Sequence, residues 1–141
     1  MPQYWLLKTE PSDYSYADLS RDGKTVWDGV SNNFALKHLR TIKAGDLAFI
    51  YHTGKERALV GIAEVLSDPY PDPKKNDPKL AVVDVKAREE LPQSVSLAEV
   101  KADSEFSDFL LVRLSRLSVM PVTLPQWNRL LAMAGASQWR S

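Results

Sequence analysis

The residues best suited to chemistry in this chain are aromatic and polar groups next to turns. Trp27 lies between the extended-looking stretch Thr25-Val26-Trp27 and the polar turn Asp28-Gly29-Val30-Ser31-Asn32. An indole supplies a flat stacking face, and neighbouring Asp, Ser and Asn side chains supply donors and acceptors for the edge of a planar ligand. The competing assignment is a buried structural Trp, and sequence weighs the two equally. Tyr51-His52-Thr53 closes an apolar run with three polar-tipped residues, and Lys8-Thr9-Glu10 closes another. Strand ends of this kind often face a ligand cleft. His52 suits a phosphate or a base edge, although a lone His is more often structural. His38 sits mid-helix beside Lys37 and Arg40 and reads as a surface residue. Trp5 and Trp127 fit core roles, and Trp139 has no assigned role.

Conventional catalytic signatures are absent. The chain has no P-loop, no Gly-rich dinucleotide turn and no nucleophile elbow. It has no cysteine, which removes disulfides, thiolate nucleophiles and thiolate metal sites. Its two histidines lack metal-ligand spacing. No metal or cofactor is expected.

These residues must be held by one domain of 141 residues with no internal linker. Apolar runs and turn residues place strands at 4–8, 46–51, 58–66, 81–86 and 116–122, with a polar tail after the fourth. Gly61 inside the third of these signals a bulge or a close approach by another group. Ser15, Ser96 and Thr123 each start a capping box. A helix entered through Asn32 carries Ala35, Leu39 and Ile42 on one face, and a last one carries Trp127, Leu130, Leu131 and Ala134. Residues 67–79 hold four prolines and read as a surface loop. The pattern predicts an α+β domain on a curled sheet or small barrel of five or six strands with short flanking helices.

The 18 basic and 18 acidic residues cancel. Zero net charge disfavours binding nucleic acid by bulk electrostatics, yet permits gripping a single base. The cancellation is uneven. Residues 84–108 hold seven acids and three bases, whereas 109–141 hold Arg113, Arg116, Arg129 and Arg140 with no acid. Such arginines usually pair with upstream acids or disperse over different faces. The N-terminus shows no signal-peptide pattern, and apolar runs are too short to span a bilayer. A cytoplasmic protein without membrane contact is expected.

Several motifs in order resemble the EVE-domain family. They are Tyr4-Trp5-Leu6-Leu7-Lys8-Thr9-Glu10-Pro11 with Tyr14-Ser15, Val26-Trp27-Asp28-Gly29-Val30 with Asn32 and Ala35, and Gly45-Asp46-Leu47 through Tyr51-His52-Thr53. Val60-Gly61-Ile62-Ala63-Glu64-Val65, Tyr70-Pro71-Asp72-Pro73, Val83-Asp84-Val85 and Arg116-Leu117-Ser118-Val119 continue the match. This family is part of the PUA-like superfamily, beside the YTH domains. The resemblance implies a PUA-like mixed β-barrel and non-catalytic binding of nucleic acid carrying a modified base. Modified cytosine in DNA is the usual proposal, with a modified RNA base as the other. It implies that Trp27 stacks on the base and that Lys8, Thr9, Asp28 and Asn32 make polar contacts. Tyr51 and His52 would close a wall, and Arg116 with Ser118 would approach from the last strand. The chain departs from the family pattern at Ser31, where members often carry Arg, and at Asn33, where an aromatic is common. Its loop after the prolines is also shorter, which bears on a second aromatic wall. The alternative is a nucleic-acid- or nucleotide-processing enzyme that uses Lys8, Thr9, Glu10 and His52. A third reading, a protein-interaction module using the acidic 84–108 stretch, has the least support, because charge runs are usually solvated faces.

Overall fold

The computed structural model describes residues 2–136. Trp139 and Arg140 lie outside them.

The strands are β1 (Tyr4–Thr9), β2 (Lys24–Trp27), β3 (Leu47–His52), β4 (Ala58–Val65), β5 (Tyr70–Pro71), β6 (Ala81–Ser96) and β7 (Val119–Val122). The helices are α1 (Tyr16–Asp22), α2 (Asn33–Leu39), α3 (Leu97–Ala102), α4 (Leu110–Arg113) and α5 (Leu124–Met133), with a 3₁₀ turn at Ser104–Phe106. The α+β class stands. The sheet runs β2-β6-β4-β3-β1-β7, and β5 pairs with β6. Only β1 and β3 pair in parallel.

The expectation of a small mixed barrel of five or six strands is corrected to a seven-stranded mixed sheet that does not close. Strands β2 and β7 sit at opposite ends of the order and do not pair with each other. Each is four residues long, and β7 carries Pro121, which lacks the N–H that a further ladder would need. The sheet bends instead at irregularities in register, at Ile50/Tyr51 in the β3–β4 pair and on both sides of Gly61–Ile62 in the β4–β6 pair.

Strand β6 outruns its expected end by ten residues, because the far part of β4 pairs Leu59 with Val95 and Ala58 with Ser96. The last strand is shorter than expected. Ser115 and Arg116 form a turn, closed by Leu117 N–H donating to the Leu114 carbonyl at 3.1 Å, and the strand starts only at Val119. Helix α2 stops at Leu39, and Ile42 is buried just beyond it.

Central strand β3 is buried along its whole length. Trp127 of α5 packs on Phe49 of β3 and Tyr4 of β1, with ring centroids 4.1 and 4.6 Å away. Trp5 and Trp127 are therefore core residues. All three capping boxes form. Among the described residues no helix is long and apolar enough to cross a membrane.

Candidate functional site

Strands β1 and β2 and the turns that follow them surround a cavity of about 460 Å³. Lys8 and Thr9 come from the end of β1, and Asp13 and Tyr14 from the turn after it. Thr25, Val26 and Trp27 come from β2, with Asp28 just beyond. Lys74 reaches it from the proline-rich loop. Two ammonium groups and two carboxylates balance. Such a site suits an uncharged planar ligand better than a bare phosphate. Its volume lies in the range of small-molecule sites, about 300–1,000 Å³.

Trp27 is 6% exposed and forms part of the core cluster while lining the cavity. Among the described residues its indole N–H has no acceptor. Lys8 crosses between two surfaces. Its Nζ donates to the Ser115 carbonyl at 2.8 Å and lies 5.4 Å from the centre of the Tyr51 ring. Burial lowers the ammonium pKa below its ordinary value. The Thr9 hydroxyl donates to the Tyr14 carbonyl at 2.6 Å, which folds the turn back against β1. Tyr14 in turn donates its phenol to Asp22 at 2.9 Å. Its pKa is raised, chiefly by burial.

The other residues singled out from sequence lie elsewhere. Tyr51 is buried beneath the Lys8 ammonium and does not line the cavity. His52 is 7% exposed. Its Nε2 accepts from the Tyr16 backbone N–H at 3.0 Å, so Nδ1 carries the proton and meets Glu56 at 2.6 Å. This is the arrangement of a structural histidine. Ser118 accepts the Lys8 backbone N–H through its carbonyl at 3.0 Å and does not line the cavity. Asn32 caps α2, accepting from Phe34 and Ala35 N–H. Asn32 and Arg116 line a second, shallower groove.

The side chains of Lys8, Thr9, Glu10 and His52 each meet separate partners. Glu10 accepts from the Ser12 N–H and hydroxyl, which hold its carboxyl below the ordinary range. Among the described residues no hydrogen bond joins two of the four side chains. No group of three His, Asp or Glu among the described residues is placed to hold a metal.

Sequence reasoning missed Asp13, Tyr14, Thr25, Val26 and Lys74 as lining residues. Tyr14 and Thr25 had a signal, since they sit beside Thr9 and Trp27. Lys74 had none. Its place depends on Asp72, buried in the loop, whose carboxylate accepts the Lys74 N–H at 2.9 Å. That loop gives the cavity an ammonium and no aromatic wall.

Comparison with known proteins agrees with the motif order. The family model described as the EVE domain matches residues 3–133. Human thymocyte nuclear protein 1 is 28% identical, over 94% of this chain and 74% of its own length. That alignment spans 167 positions, more than this chain contains, so the human protein carries insertions relative to it. A solved structure from Agrobacterium tumefaciens is 37% identical, with TM-score 0.92, covering 95% of this chain and 94% of that one. The crystal structure of the human THYN1 protein in complex with DNA containing 5-methylcytosine is 28% identical. It has TM-score 0.87 and covers 96% of this chain and 99% of that chain. The chain belongs to the EVE domain family.

Proposed function

We propose that this protein is a non-catalytic binder of nucleic acid that takes a modified base, modified cytosine in DNA, into the Trp27 cavity. The observation that carries the reading is the cavity itself. It has the Trp27 indole as an aromatic wall, an N–H that meets no acceptor among the described residues, and a balanced set of charges around it. The human relative seen with 5-methylcytosine DNA supports the same ligand class. The base must be extruded from a duplex or offered on a single strand, and stacking on one ring contributes about 1–3 kcal/mol. Lys8, Asp28 and Thr25 then lie where they can meet the base edge, with Lys74 at the side of the loop.

A binder fits the side-chain geometry better than an enzyme does. A hydrolytic or transfer centre needs a nucleophile within hydrogen-bond reach of its base. Here Thr9, Glu10 and His52 each spend their polar atoms on separate structural partners.

The test is a titration of single- and double-stranded DNA and RNA carrying a panel of modified bases. The parent protein should prefer one modified base over its unmodified counterpart. Trp27→Ala should remove most of that preference while circular dichroism shows the fold retained. Equal binding by the folded Trp27→Ala variant would place the base elsewhere. Preference for a modified base in RNA alone would move the reading from DNA to RNA.

A further inference from the structure

The second groove lies between the start of α2 and the loop joining α4 to β7. Its volume is about 360 Å³. Phe34 and Leu114 line it and are 42% and 40% exposed, unusual for side chains of their size. Arg113, Ser115 and Arg116 line it as well, and no acid does. The Phe34 ring rests on His38, with centroids 4.6 Å apart, so the aromatic face is supported from one side.

The arginines here differ in what holds them. Arg129, elsewhere on α5, pairs with Asp103 at 2.8 Å. Arg113 meets Asp108 only at 3.4 Å, with both side chains largely in solvent. Arg116 has no ion-pair or hydrogen-bond partner among the described residues. Among the described residues the groove therefore presents a supported aromatic ring, a guanidinium without a partner and no opposing carboxylate.

It also adjoins the Trp27 cavity. Lys8 lines the cavity, while its ammonium donates to the carbonyl of Ser115, which lines the groove. The Lys8 side chain reaches from one to the other. A polynucleotide whose base occupies the first site must lead its backbone away over neighbouring surface. The side with an exposed ring and unpaired arginine matches what a strand offers, a π-face and a phosphate.

We propose that this groove is a second nucleotide subsite. A base flanking the recognised one stacks on Phe34, and the intervening phosphate meets Arg116. This rests on the reading of the Trp27 cavity as the site of the modified base. It assigns the two sites different work: Trp27 discriminates the modification, and the groove adds affinity that depends on strand length but not on modification.

The test uses fluorescence anisotropy with single-stranded oligonucleotides carrying one central 5-methylcytosine, their unmethylated matches, and competition by 5-methyldeoxycytidine nucleoside. Phe34→Ala should weaken both oligonucleotides about tenfold, the loss of one stacked base. Arg116→Gln should weaken both and reduce the slope of log affinity against log salt by about 0.7, one phosphate on a single strand. Neither should change the methylated-to-unmethylated ratio or the competition by the nucleoside. Arg116 is exposed and has no partner among the described residues, so its variant does not depend on refolding. Parental affinity and salt slope in both variants would overturn the subsite. So would a loss of ratio in Phe34→Ala equal to that in Trp27→Ala, because the groove would then belong to the discriminating site. If the parent binds oligonucleotides without preference for methylation, the cavity reading fails, while the two variants still decide the groove. If the parent binds no oligonucleotide, both fail.

Discussion

Trp5 and Trp27 differ in where their indole N–H groups go. Trp5 donates to the buried carboxylate of Asp46 at 2.9 Å, and Trp27 donates to nothing in the described chain. The core role of Trp5 was legible from its place inside an apolar run. The position of Trp27 beside polar turn residues raised the question of a site, and only the fold puts Lys8 and Lys74 on the same cavity. Asp46 carried no signal beyond its place before a strand. It is 4% exposed and accepts from Gln3 N–H, Trp5 Nε1–H and Lys43 N–H, all at 2.9 Å. Asp46→Ala removes three charge-assisted bonds. The two backbone donors lie near solvent, but the Trp5 N–H is buried. A loss on the order of 3 kcal/mol is expected, read from the urea midpoint. A loss below about 1 kcal/mol would mean that water replaces the carboxylate at all three donors.

At the scale of elements, local chemistry was most legible where it is self-contained. The capping boxes at Ser15, Ser96 and Thr123 depend on residues three apart, and all three form. The far half of β6 was not legible, because Arg88 to Ser94 breaks the apolar alternation and Pro92 interrupts it. Pairing with β4 supplies what local pattern lacks. Arg116 was misplaced for a related reason. Its segment reads as strand, but the ladder from β1 meets the last strand only from Val119 onward. Gly61 was legible in both of its senses. Register shifts flank it, and the Tyr16 ring of α1 lies so close that a Cβ there would stand 2.4 Å from ring carbon Cε1. That ring is buried and tethered by its hydroxyl to the Ile62 carbonyl at 2.8 Å. Gly61→Ala must push α1 from the sheet and should cost about 1–3 kcal/mol. Chemical denaturation checks it, and an unchanged midpoint would show that α1 moves freely.

At the scale of the molecule, zero net charge hides local pairing. Arg129 pairs closely with Asp103 and Arg113 loosely with Asp108, so two of the four arginines in the basic C-terminal stretch meet the acidic stretch before it. Arg116 has no ion-pair partner among the described residues, and Lys8 and Lys74 at the cavity are balanced by Asp13 and Asp28. Over the whole sequence the cations do not outnumber the acids, so no bulk positive field draws phosphates in general. Affinity for nucleic acid should therefore come mainly from one pocket and one adjoining groove. The salt dependence should be shallow, equivalent to about two or three phosphate contacts. The most direct measurement is the affinity for matched DNA with and without one 5-methylcytosine, taken at two salt concentrations. A clear preference for the methylated strand that salt leaves unchanged, on a shallow overall slope, is the predicted result. Equal affinities with a steep salt slope would contradict it, because the protein would then be holding the backbone and not the base.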